Sequence, residues 1–323
     1  MTGFSLRQAL LRGFFTVAAI IFISAVSGCA GMAASAEEYF SIGMAYYDLG
    51  KFDEAEKWLN RAKSADKTMI ASQYNLGRIA FETERYEDAA RYFESILKRD
   101  PDNVLALKAA AFTRIKTGDI PLAEKHYSHL LELVPESADD GYNHALVLYA
   151  LKRYGDAEKT LEKYPFALTD NSEMTLLYAR CQKALDKVEA IDSFAKWLDG
   201  NTDNKVRYEY AQLLEQHELY ARALEEYRKT IAETAVDSAD PVRGDVRFAL
   251  ARVLLIADSE NSEGITELEI AVGEGFNDIE AVEKLQKSGK LSAGNKDQLR
   301  TVINDMQRRA EQKHEEENPE TSD

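Results

Sequence analysis

The chain has 323 residues, and 56 acidic against 40 basic residues leave a formal net charge of −16. A surface this acidic repels nucleic-acid phosphate and offers no basic face to a membrane, so membrane attachment has to come from lipid; partners with basic surfaces are mildly favoured, and plain solubility is the other reading of the same charge. Two cysteines, Cys29 and Cys181, exclude a disulfide framework.

In chain order, Arg7 and Arg12 precede an apolar run from Phe14 to Val26, too short to span a bilayer and suited to the core of a secretion signal. The run ends in Val26-Ser27-Gly28-Cys29. This resembles the box at which bacterial lipoproteins are cut before a cysteine carrying diacylglyceryl. The resemblance implies a leader over 1–28, lipid on Cys29, including an N-acyl chain such as palmitate, and residence in the bacterial cell envelope. Ala30 rather than Asp after the cysteine implies an outer-membrane destination facing the periplasm. Two other readings remain: cleavage of a plain export signal after Ala34-Ser35-Ala36, and a retained transmembrane anchor. Loss of the leader removes two arginines and no acid, leaving −18. Residues 29–35 then form the lipidated cysteine and a short tether, whose six residues after Cys29 reach at most about 20 Å.

From Ala36 the sequence is periodic. Ala55, Ala89, Ala123 and Ala157 stand 34 residues apart, each followed four residues later by Leu59, Phe93, Tyr127 or Leu161 and preceded twelve earlier by Gly43, Gly77, Ala111 or Ala145. A fixed period of this length predicts stacked repeats of two antiparallel helices. Ile42, Gly43 and Tyr46 line the first helix, Leu49-Gly50-Lys51 makes the turn, and Ala55, Leu59 and Ala62 line the second. Gly43 is expected to meet Ala55, letting the backbones approach closely. Pro101 and Pro135 end their units.

This pattern resembles the tetratricopeptide repeat (TPR) family, through Tyr39, Ile42, Gly43, Tyr46, Ala55 and Leu59 in the first unit, Leu76, Gly77, Ala89, Phe93 and Pro101 in the second, and Ala123, Tyr127 and Pro135 in the third. The resemblance implies an all-α solenoid of about six to seven helix-turn-helix repeats over 36–273, with units 36–69, 70–103, 104–137, 138–170, 171–203 and 204–237 and a degenerate one at 240–273. Residues 277–312 read as capping helices and 313–323 as an acidic disordered tail.

A second apolar stripe flanks the packing face: Phe40, Met44 and Tyr47 in the first unit, Tyr74 and Phe81 in the second, Phe112 and Ile115 in the third, and Tyr142, Leu146 and Tyr149 in the fourth, fading to Thr175, Ala179 and Gln182 in the fifth. In TPR arrays these positions line the concave groove, which implies a protein partner, a peptide, helix or domain, held there. Packing against the next repeat or the chain's own C-terminal helix is the other reading of the same residues. A small hydrophobic ligand in that groove, carried for a solute-uptake system, is the alternative function. A clamp for a chaperone tail is not expected, since Phe40 and Met44 occupy its lysine and first asparagine positions.

No nucleotide-binding, metalloprotease or serine-hydrolase motif is present, so no enzyme, cofactor or metal is expected. His126 and His129, three residues apart, read as surface histidines; His144 as a buried, hydrogen-bonded side chain; and Asp139-Asp140 and Glu225-Glu226 as solvated pairs. Cys181 reads as a small core residue.

Overall fold

The computed structural model describes residues 35–317, with side-chain surroundings up to Gln312. The leader, Cys29 and most of the tether lie outside the described residues. Seventeen α-helices are present among the described residues, with no strand beyond one isolated bridge. The described residues are all-α, arranged as successive helical hairpins. It divides into two compact units, one up to Arg99 and one from Asp100.

The first unit holds α1 (Ala36–Asp48), α2 (Phe52–Ala65), α3 (Ile70–Glu82) and α4 (Tyr86–Leu97). They pair as α1–α2 and α3–α4, with α2 packed on α3. Helix α1 starts with a reciprocal cap: the Glu38 amide donates to Ser35 Oγ at 3.2 Å and the Ser35 amide to Glu38 Oε2 at 2.7 Å.

The second unit continues with α5 (Val104–Lys116), α6 (Ile120–Leu133), α7 (Ala138–Ala150), α8 (Tyr154–Leu161), a short α9 (Pro165–Asp170), α10 (Ser172–Ala184) and α11 (Ala190–Gly200). Then follow α12 (Asn204–Gln216), α13 (Tyr220–Glu233), α14 (Arg243–Ala257), α15 (Ser262–Gly273), α16 (Ile279–Gln286) and α17 (Ala293–Glu317). Five hairpins, α5–α6, α7–α8, α10–α11, α12–α13 and α14–α15, pack serially, and α17 packs on α15 and α16. Helix α17 runs to Glu317, into the stretch expected to be a disordered tail. Asn103, Ser137, Asn171 and Asp203 cap α5, α7, α10 and α12 with side-chain oxygens.

The repeated alanines, Ala55, Ala89, Ala123, Ala157, Ala190 and Ala223, are fully buried, and the large residues four later (Leu59, Phe93, Tyr127, Leu161, Phe194, Tyr227) are nearly so. The small residue of the first helix meets this large residue rather than the alanine expected. A Cβ at Gly43 would fall 2.8 Å from Leu59 Cγ, and one at Gly77 would fall 2.6 Å from Phe93 Cε1. Side chains lean toward their helix N-terminus, so the residue one turn further on covers the glycine.

The turn inside each hairpin repeats as faithfully. Gly50, Glu84, Gly118, Lys152, Asp186 and Glu218 all take φ between 56° and 79°. Each directs its amide to the carbonyl three residues back, and the next amide reaches five back, as in Gly50 N–H to Tyr47 O and Lys51 N–H to Tyr46 O. This is the Schellman ending of a helix, favoured by glycine and here built four times without it.

The irregular end of the fourth repeat has a packing cause. Gly141 stands where the first repeat has Tyr39, and Tyr164 fills the space: a Cβ at Gly141 would lie 2.1 Å from its ring, and its hydroxyl donates to the Pro135 carbonyl at 3.0 Å. Helix α9 follows directly.

Candidate protein-binding site

In the first unit, Phe40, Met44 and Tyr47 on α1 and Tyr74 and Phe81 on α3 are all half-buried. Phe40, Met44 and Tyr47 pack against the core of Ala55, Leu59, Leu76 and Ile79. Tyr47 lies 5.6 Å from the Phe52 ring, Tyr74 5.6 Å from Phe93, and Phe81 meets Tyr86 edge-on at 5.2 Å. Each pair joins the two helices of one hairpin. Arg78 ties Tyr47 to the next hairpin, donating to its hydroxyl at 2.8 Å and lying 4.6 Å over its ring.

The second unit carries its own portion. Tyr149 packs on Tyr154 at 5.0 Å, repeating the Tyr47–Phe52 and Phe81–Tyr86 contacts. Burial pushes the Tyr142 and Tyr149 phenols above their ordinary pKa. Phe112 and Leu146 stay open, 44% and 39% exposed, with Lys116 Nζ 5.8 Å over the Phe112 ring. Leu105, one helical face-repeat before Phe112, is 60% exposed and extends this apolar surface. Sequence reasoning missed it; the i, i+7 spacing to Phe112 was the available signal. The stripe therefore does two jobs: Tyr47, Phe81 and Tyr149 lock hairpins, while Leu105, Phe112 and Leu146 present apolar surface.

Beyond the fourth repeat the same positions turn inward and polar. Thr175 donates to the Leu168 carbonyl at 2.6 Å, Ala179 is fully buried, and Gln182 accepts from Ser193 Oγ at 2.6 Å. Glu215 takes the place of Tyr149 and is gripped by Arg252 and the Tyr227 hydroxyl.

Several titratable groups depart from the sequence reading. Asp140 is buried, accepting from Ser137 Oγ at 2.6 Å and paired with Lys108 Nζ at 2.8 Å. Glu226 is largely buried and pairs with Arg207 at 3.0 Å, while Glu225 is exposed. His126 is buried, not at the surface; His129 lies 2.8 Å from Asp102 Oδ1. His144 is buried as expected, but neither ring nitrogen has a hydrogen bond, and Nε2 stands 3.6 Å from Glu124 Oε1. Cys181 is fully buried, which pushes its thiol up to about 12. Among the described residues no three His, Cys, Asp or Glu side chains gather as a metal site.

A cleft of about 450 Å³ opens between α15 and α17, and an adjoining one of about 270 Å³ is lined by Phe276, Ile279, Met306 and Arg309. Both lie at the C-terminal cap, and neither is lined by a residue of the stripe. No helix among the described residues is long and apolar enough to cross a membrane.

Residues 36–68 and 80–140 match models of the tetratricopeptide repeat family, so the chain carries TPR repeats in both units. A tetratricopeptide repeat protein from Parabacteroides merdae shares the fold, with a TM-score of 0.52 at 21% identity, covering 77% of this chain and 96% of that one. An uncharacterized lipoprotein of Treponema pallidum (strain Nichols) is 26% identical over 47% of this chain and 78% of its own length. The protein O-mannosyl-transferase Tmtc3 of Drosophila melanogaster is 28% identical over 38% of this chain, but the match spans only 14% of that protein. The TPR fold supports a role as a protein-protein interaction scaffold.

Proposed function

We infer that this protein is a lipid-anchored interaction scaffold of a bacterial cell envelope, attached through acylated Cys29 to the outer membrane and facing the periplasm. It binds a peptide, helix or domain of a partner protein on the apolar stripe. The observation that carries the binding surface is the exposure of Leu105, Phe112 and Leu146 on helices held rigid by fully buried neighbours. Apolar side chains fixed on a rigid scaffold bind with little loss of conformational freedom. The leader, the cysteine at the end of the apolar run and the likeness to a lipoprotein support the anchor.

The test is recovery of partners from envelope extract by the protein and by a Leu105→Ser/Phe112→Ser/Leu146→Ser variant. Loss of specific partners in the variant supports the reading; an identical set from both removes the stripe as the site. Incorporation of labelled palmitate, abolished in Cys29→Ala, tests the anchor.

A second reading, an accessory ligand-binding subunit of a solute-uptake system, draws on the adjoining clefts at α15–α17, where Phe276, Ile279 and Met306 offer room for a small hydrophobic ligand. Native mass spectrometry of the purified protein retaining a discrete small molecule would favour it.

A further inference from the structure

The outer edge of the first hairpin is an apolar and aromatic face. Ile42 on α1 is 37% exposed, and Leu49, the residue that ends α1 seven positions later, is 69% exposed. At the same position in the next three hairpins stand Leu76, Ala110 and His144, all buried. Leu76 belongs to the core shared with Leu59 of the preceding hairpin. Ile42 thus occupies a packing position whose covering hairpin is absent among the described residues. Beside it, Tyr39 packs on Trp58 at 5.8 Å between centroids, and Arg61 lies 4.5 Å over the Trp58 indole. Tyr39 and Trp58 are half-buried and Arg61 exposed.

The position of this face in the chain limits what can cover it. Cys29 precedes Ser35 by six residues, a reach of about 20 Å at full extension. A lipid on Cys29 therefore holds α1 at the bilayer surface. The composition suits that place: Trp and Tyr combine an apolar ring with a polar tip and settle at the headgroup level, and an arginine stem lies along the ring with its charge in water. Glu37, Glu38, Asp48 and Asp53 on the same hairpin are exposed, so net attraction to anionic lipid is not the source of the contact.

Resting on the lipid anchor at Cys29, we propose that the edge formed by Tyr39, Ile42, Leu49 and Trp58 seats in the headgroup layer of the bilayer and fixes the angle at which the first hairpin leaves the membrane. The anchor alone would tether the array on a swivel; this face makes the attachment oriented. The contact is apolar, so it forms on zwitterionic lipid and persists at high salt.

The cysteine chemistry makes the test direct. In the acylated protein Cys29 carries lipid and Cys181 is fully buried, so Ile42→Cys, Leu49→Cys and, as a control, exposed Lys98→Cys each supply one reactive thiol. Nitroxide labels are placed there in the full acylated protein reconstituted in phosphatidylcholine vesicles. Collisions with oxygen, which concentrates in lipid, are compared with those of a water-soluble nickel chelate. The expected result is a severalfold higher oxygen-to-nickel ratio at positions 42 and 49 than at 98, unchanged by added salt. Equal ratios at all three positions on vesicle-bound protein overturn the proposal and leave the anchor standing; failure of the acylated protein to co-sediment with vesicles overturns the anchor and the proposal together. Dipolar broadening between labels at position 42 that disappears on dilution with unlabelled protein assigns the face to a second copy. Shielding from both reagents without such broadening assigns it to the chain's own residues before Ser35. Either result overturns the bilayer assignment.

Discussion

The Arg252 guanidinium holds the Glu215 carboxylate in a two-pronged grip, Nε to Oε1 at 2.7 Å and Nη2 to Oε2 at 2.8 Å. The two residues are on α14 and α12, so this bond crosses from the sixth helical hairpin to the seventh. The Tyr227 hydroxyl donates to the same carboxylate at 2.7 Å. Burial, with the Glu215 charge beside it, raises the phenol far above its ordinary pKa, so it stays a donor at any physiological pH.

Removing the acceptor leaves a largely buried cation and a buried hydroxyl without partners. Glu215→Ala is expected to destabilise the α12–α14 region by about 2–3 kcal/mol, and Glu215→Gln, which keeps the shape and one acceptor, by clearly less. Hydrogen exchange resolved by segment is the measurement. In a serial array the loss should concentrate in α12, α13 and α14 and leave α1–α4 unchanged. Faster exchange spread evenly over the whole chain would contradict this.

Glycines divide sharply by what surrounds them. At Gly77 a Cβ would press into the ring of Phe93, itself only 2% exposed and unable to swing aside. At Gly155, in the first turn of α8, nothing lies within 4 Å. Gly77→Ala should cost about 1–3 kcal/mol through overpacking, and Gly155→Ala should gain about 0.5 kcal/mol through helix propensity. Urea midpoints of the two variants, moving in opposite directions from the parent, check both at once.

The period of 34 made the helical hairpins and their buried alanines readable, because spacing alone fixes which side chains share a face. Contacts between residues far apart in sequence were not readable. Lys108 neutralises Asp140, and Arg252 pairs with Glu215, across distances that no local pattern marks. Asp139-Asp140 therefore read as two solvated acids when one of them is buried. The stripe was readable as a row of apolar residues, but not its division: whether Tyr149 faces a partner or Tyr154 depends on a rotamer, and sequence spacing does not select rotamers. Gly50 announced the hairpin turn; Glu84 and Lys152 adopt the same backbone and gave no sign of it.

Those non-glycine turns carry a prediction. A left-handed backbone with a Cβ costs about 1–2 kcal/mol, part of which glycine returns as extra freedom in the unfolded chain. Lys152→Gly is expected to stabilise the protein by about 0.5–1 kcal/mol, and Gly118→Ala to destabilise it by about 1 kcal/mol, although nothing lies within 4 Å of a Cβ there. Thermal melts followed by circular dichroism are the check. A loss of stability in Lys152→Gly would mean that the side chain, not the backbone, decides that turn.

His144 gives the protein a pH dependence of definite sign. Burial is the main influence and lowers its pKa; the Glu124 carboxylate at 3.6 Å opposes this, while Arg153 and Lys163 reinforce it. The unfolded chain, with an ordinary histidine near 6.5, takes up a proton before the folded one does. Stability from this site is therefore complete above about pH 6.5 and falls as the pH drops below it toward the lowered folded value. His144→Leu, which places at this position the residue that Leu76 supplies two hairpins earlier, removes both the titration and two buried nitrogens without hydrogen bonds. The variant should be more stable than the parent at pH 5.5, with a smaller advantage at pH 7.5, in paired urea unfolding curves. An advantage that grows with rising pH would reverse the assignment and mean that His144 is held protonated by Glu124 in the folded chain.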